Sequence, residues 1–89
     1  MERRNVHFTG HVQGVGFRFT VCSLAREQGA SGYVQNLPDG RVRMVVEGDT
    51  ADVNRLVVVV GARMADYITE VQSDTLDATG EFQEFNIRY

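Results

Sequence analysis

The stretch best equipped for chemistry is Gln13-Gly14-Val15-Gly16-Phe17-Arg18, which lies between an alternating apolar run and the start of a helical pattern. Backbone N–H groups at a helix start have no carbonyl partner within the helix, and they point outward together at the positive end of its dipole. Glycines let the main chain approach an anion closely, and Arg18 adds a planar guanidinium with paired donors, a better match to a phosphoryl group than a lysine. One ion pair at ~4 Å contributes about 4 kcal/mol at an effective dielectric near 20, against ~0.3–1 kcal/mol from a helix terminus, so Arg18 is expected to dominate binding of a dianion. The stretch lacks the Gly-Lys spacing and the magnesium-binding hydroxyl of a Walker loop, which disfavours nucleotide hydrolysis of that kind. By themselves, glycines after a strand also suit a plain tight turn.

A second residue of interest is Asn36, just before Pro38-Asp39-Gly40. On the residues alone, a strand-end asparagine there satisfies the turn that follows.

The elements that must position these residues follow from periodicity. Asn5 to Val12 alternates, with Val6, Phe8 and Val12 on one side, as in a half-buried strand. After the glycine loop, Phe17, Val21, Leu24, Ala25 and Gln28 mark one side of a helix that ends near Gly29. Gly32 to Leu37 and Arg41 to Glu47 form extended runs joined by the Pro38-Asp39-Gly40 turn, a β-hairpin. Thr50 or Asp49 is placed to cap a second helix, in which Val53, Leu56, Val57, Val60 and Met64 recur at helical spacing. Within it the β-branched run Val57 to Val60 favours strand, so packing must override propensity. Tyr67 to Thr75 and Phe82 to Tyr89 are further strands. The order is βαββαβ with an additional C-terminal strand, which predicts an α+β, ferredoxin-like sandwich: an antiparallel sheet with two helices on one face.

The segments Gly10-His11-Val12-Gln13-Gly14-Val15-Gly16-Phe17-Arg18 and Gly32-Tyr33-Val34-Gln35-Asn36-Leu37-Pro38-Asp39-Gly40-Arg41-Val42 resemble the two signatures of the acylphosphatase family. The resemblance extends more loosely to Glu84-Phe85-Asn86-Ile87-Arg88-Tyr89 and so spans most of the chain. It implies hydrolysis of carboxyl-phosphate anhydrides without metal or cofactor. The loop Gln13, Gly14, Val15, Gly16 and Phe17 would cradle the phosphate, Arg18 would bind it, and Asn36 would hold the attacking water. The partner would be a small-molecule acyl phosphate, of which acetyl phosphate, carbamoyl phosphate and the acyl-phosphate intermediate of glycolysis are examples. Three positions depart from the family pattern: Phe8 replaces an aliphatic residue, Gly61-Ala62 stands where Gly-Pro follows the second helix, and the valine run is atypical.

Composition narrows the remaining possibilities. With 89 residues, 43% of them apolar, the chain has room for one domain, residues 1–89, and for one core. A net charge of −3 argues against nucleic acid or an acidic membrane as partner. The sequence shows neither a signal peptide nor the ~18 apolar residues of a membrane span, so a cytoplasmic monomer is expected. Cys22 is the single cysteine and has no internal disulfide partner. His7 and His11 are separated by ~13 Å of extended chain, too far to share one metal ion.

Three alternative functions can be weighed against the hydrolase. An RNA-recognition domain of the same element order needs aromatic residues on its central strands, and Arg41 to Glu47 has none. A non-catalytic, phosphate-binding regulatory module would use the same loop without turnover. The chain also resembles the amino-terminal domain of hydrogenase-maturation carbamoyltransferases, which continue into zinc-binding regions; without CxxC pairs this sequence is expected to act as a free-standing enzyme.

Overall fold

The computed structural model describes all 89 residues, Met1–Tyr89. Strand β1 (Glu2–Gly10) leads to helix α1 (Phe17–Glu27). The hairpin β2 (Ser31–Asn36) and β3 (Val42–Gly48) leads to helix α2 (Thr50–Arg63), and a 3₁₀ turn at Ala65–Tyr67 to β4 (Ile68–Asp77) and β5 (Phe85–Arg88). The strands form one sheet in the order β4-β1-β3-β2-β5. The four strands of the βαββαβ unit pair antiparallel, as expected of a ferredoxin-like sandwich. The added strand β5 joins β2 in parallel, Val34 opposite Ile87, so the sheet is mixed.

One core lies between the sheet and the two helices. Val6, Phe8, Val42, Met44, Val46 and Val34 face it from the strands, and Val21, Ala25, Val53, Leu56 and Val60 from the helices. Burial of that last set carries α2 through its valine run: Val60 is buried, while Val58 points outward and is 68% exposed. The predicted cap takes another form. Asp49 occupies the N-cap position but makes no side-chain cap bond, and the Thr50 hydroxyl donates to Glu2 Oε1 at 2.7 Å.

Gly61-Ala62 lies within the last turn of α2, before the loop. A methyl group at Gly61 would meet no atom within 4 Å. A glycine inside a helix costs roughly 0.5–1 kcal/mol relative to alanine. Gly61→Ala should therefore raise the melting temperature by a few degrees, read by thermal unfolding.

Strand β1 starts earlier and stops sooner than the alternation suggests. Its ladder runs from Glu2, opposite Gly48 and Asp77, to a register shift at Thr9/Gly10. Gly10 has φ 137°, and a Cβ there would lie 2.2 Å from the Tyr67 carbonyl oxygen, so this crossing of backbones needs a glycine. Val12 lies past the strand yet still points inward, 1% exposed. The chain thus leaves the sheet and starts its loop with an apolar anchor in the core.

At the opposite end, Glu47 is buried on β3 and fastens the segment between β4 and β5. Its carboxylate accepts hydrogen bonds from the Thr79 N–H at 2.8 Å, the Thr79 hydroxyl at 2.9 Å and the Gly80 N–H at 2.9 Å. Burial pushes the Glu47 carboxyl up, but these donors and Arg3 outweigh it and hold the group below its ordinary value of 4.5. A carboxyl depressed in the folded state adds stability above its unfolded value, and that contribution is lost as pH falls through the folded one. Glu47→Gln should thus melt several degrees lower than the parent chain at pH 7, and the gap should narrow as the pH is taken below about 4.5. A gap that stays constant with pH would mean that the carboxylate charge adds nothing. No helix is long and apolar enough to cross a membrane.

Candidate active site

The loop between β1 and α1 is shaped by glycines for conformation, not for lack of space. Gly14 has φ 79° and Gly16 φ 77°, both left-handed, and an added Cβ at either would meet nothing within 4 Å. Gly16 is the N-cap of α1 and supplies no side-chain cap; its carbonyl accepts the first bond, from Thr20 N–H at 3.0 Å. The N–H groups of Gly14 through Phe19 donate to no backbone carbonyl. An array of donors is therefore left without backbone partners, on a loop anchored by Val12, by Val15 packed against the core and by Phe17. Phe17 is 2% exposed and its ring lies 5.1 Å from that of Phe8, centroid to centroid. The aromatic residue at position 8 thus packs directly against the first residue of α1.

Gln13 ties this loop to the hairpin. Its Nε2 donates to the carbonyls of Leu37 at 2.8 Å and Arg41 at 3.0 Å, on either side of the Pro38-Asp39-Gly40 turn. The resemblance places Gln13 in the phosphate-binding loop; in the structure its side chain fixes where the hairpin stands relative to that loop.

Asn36 is the last residue of β2, paired with Val42. The turn beyond it is satisfied without it. Leu37 N–H donates to Arg41 O at 2.8 Å, Gly40 N–H to Leu37 O at 3.1 Å, and Arg41 N–H and Nε donate to the Asp39 carboxylate at 3.0 and 2.8 Å. Asn36 Oδ1 is buried and accepts no hydrogen bond from the chain. That excludes the turn-satisfying role and leaves an unused acceptor beside the loop.

Arg18 stands in the first turn of α1, partly buried, with its guanidinium carbon 5.0 Å from the centre of the Tyr89 ring. No carboxylate forms a salt bridge with it. Stacking on an aromatic face holds the planar group without neutralising its charge. Gly14, Gly16, Arg18 and Asn36 line one cavity of about 230 Å³, closed on its other side by Phe19, Ile87 and Tyr89. N–H groups without backbone partners, an unpaired cation and Asn36 thus border one space large enough for a phosphoryl group and a water molecule.

The sequence gives no indication that Phe19, Ile87 and Tyr89 belong here. The placement of Ile87 and Tyr89 depends on β5 lying in parallel beside β2, which alternation alone does not encode. His7 lies on β1 beside Arg43, its imidazole pushed down by burial and by the charges of Arg41 and Arg43, and His11 is exposed beyond the strand. Cys22 is buried in the core, with Sγ 3.8 Å from the Phe85 carbonyl oxygen.

The acylphosphatase family profile matches residues 4–87. The chain is 38% identical over 89 residues to an acylphosphatase of Caldanaerobacter subterraneus subsp. tengcongensis, covering 96% of this chain and 98% of that protein. It superposes on the crystal structure of acylphosphatase from Bacillus subtilis with a TM-score of 0.90 at 28% identity, covering all of both chains. The HypF structure from T. kodakarensis contains the same fold, TM-score 0.84 at 28% identity, within 12% of its own length.

Proposed function

Because the chain belongs to the acylphosphatase family, we propose that the loop from Gly14 to Phe19 holds the phosphoryl group of an acyl phosphate, that Arg18 binds it and that Asn36 orients the attacking water. The observation that carries this reading is that Asn36, whose buried Oδ1 has no hydrogen-bond partner, lines the same cavity as the loop glycines and Arg18. Phosphoryl transfer asks a protein mainly for positioning and for donors aimed at the equatorial oxygens, and the six N–H groups from Gly14 to Phe19 together with one guanidinium supply them. Asn36 Oδ1 accepts a hydrogen bond from water and aims its oxygen at phosphorus. The new P–O bond forms as the bond to the acyl oxygen breaks, and that electron pair leaves on the carboxylate. An amide cannot take the water proton, so a non-bridging phosphoryl oxygen accepts it, giving free carboxylate and dihydrogen phosphate. Charge stabilisation comes from the chain itself, and no step is assigned to a metal or cofactor.

The site is built on one core, which supports reading residues 1–89 as a single domain that needs no second copy to complete the cavity. The lone buried Cys22 needs no oxidising compartment, in keeping with a cytoplasmic enzyme that acts on small diffusible acyl phosphates.

The direct test is hydrolysis of benzoyl phosphate by the wild-type chain in excess EDTA, beside Asn36→Ala and a phosphate monoester. Chelator-resistant, Asn36-dependent cleavage of the anhydride but not the ester is expected. Binding of inorganic phosphate with no cleavage of either compound would instead make the chain a non-catalytic, phosphate-binding regulatory module.

A further inference from the structure

A second cavity, of about 450 Å³, adjoins the first and shares three of its walls, Phe19, Ile87 and Tyr89. It runs along α1, where Phe19, Cys22, Ser23 and Arg26 recur at i, i+3, i+4 and i+7 on one helix face. Near the phosphoryl site its walls are apolar, and Phe19 is left 74% exposed there. Its far end is polar, formed by Ser23, Arg26 and Asn86. Arg26 Nε donates to the Phe85 carbonyl at 2.9 Å and Nη2 to Asn86 Oδ1 at 3.2 Å, which fixes the guanidinium against β5 and leaves Nη1 without a partner. Neither Arg26 nor Arg18 has a carboxylate within salt-bridge reach, and no acidic residue lines either cavity. Helix rise places Arg26 ~12 Å along α1 from Arg18. In a chain of net charge −3, this is a trough with a cation free of any salt bridge at each end and apolar walls between them, the nearest recorded carboxylate at the Arg26 end being Glu84, one hydrogen bond removed through Asn86.

We propose that this groove receives the acyl group and selects acyl phosphates that carry a second carboxylate beyond an apolar or aromatic stem. The inference rests on reading the neighbouring cavity as the phosphoryl site. The stem packs on Phe19, Ile87 and Tyr89, and the distal carboxylate meets the free edge of the Arg26 guanidinium.

The test uses two non-hydrolysable ligands that differ by one carboxylate, benzylphosphonate and 4-carboxybenzylphosphonate, titrated calorimetrically with and without inorganic phosphate. The wild-type chain should bind the carboxylated ligand about fivefold tighter, the size of a partly exposed ion pair. Arg26→Gln should bring the two to parity. Ser23→Glu should do the same while keeping both hydrogen bonds of Arg26, because it places a carboxylate one turn away on the same face. Equal wild-type affinities, with both ligands still competing with phosphate, would overturn the groove and leave the phosphoryl reading standing. A preference that survives both substitutions would overturn the role of Arg26. If neither ligand competed with phosphate, the phosphoryl reading itself would fail, and the groove with it.

Discussion

Arg18→Ala should lose inhibition by inorganic phosphate and acylphosphatase turnover together, with kcat/KM falling about 10³-fold, the loss expected for ~4 kcal/mol of interaction with a dianion. The guanidinium serves both states: it neutralises the ground-state phosphoryl group and the charge that spreads over its oxygens as the acyl bond breaks. It stacks over the Tyr89 ring at 5.0 Å and forms no salt bridge, so its charge is not spent on an internal carboxylate. Arg18→Lys should recover part of the affinity but little of the rate, since an ammonium has neither the planar fork nor the stacking face. The measurement is an inhibition constant for phosphate beside kcat and KM for benzoyl phosphate, with circular dichroism to confirm the fold. An alanine variant that still bound phosphate at the parent strength would remove Arg18 from the site.

The phosphoryl loop can be read from the sequence because its chemistry is local. Two glycines and a helix start make a donor array whatever the rest of the fold does, and Gly14 and Gly16 adopt the left-handed conformations this requires. Asn36 is different. Its unused amide becomes meaningful only when the hairpin is set beside the loop, and that placement depends on Gln13 bonding across to Leu37 and Arg41. Alternation at Phe85, Ile87 and Tyr89 indicates a strand but not its parallel partner, and so conceals the wall that β5 contributes. The valine run in α2 shows the opposite case: strand propensity is plain in the sequence, and burial of Val53, Leu56 and Val60 on one helix face overrides it. Of the two capping candidates, Asp49 takes the N-cap position without a side-chain bond, and the Thr50 hydroxyl goes to Glu2 at the start of β1. Local backbone chemistry and one-face periodicity are therefore readable, whereas side chains whose partners lie across the sheet are not.

Asn36→Ala should separate binding from turnover, which Arg18→Ala cannot do. Because the Asn36 amide makes no internal hydrogen bond through Oδ1, its removal leaves the hairpin turn and the Gln13 ties intact, and the variant should fold and bind phosphate much as the parent does. Its kcat should nevertheless fall roughly 10²-fold, on the scale of removing one positioned polar group from a reacting centre. The pH profile carries the sharper distinction. If the phosphoryl group accepts the water proton, the parent rate follows no protein group titrating near neutrality. Asn36→Asp, which offers a base in the same place but adds negative charge beside a dianion, should then be no faster than the alanine variant. Recovery of activity in the aspartate variant, with a new ionisation in its pH profile, would show that proton abstraction limits the reaction and would overturn the phosphoryl group as its sufficient acceptor. Equal loss of phosphate binding in the Arg18 and Asn36 alanine variants would instead merge the two roles and leave the nucleophile without an assigned holder.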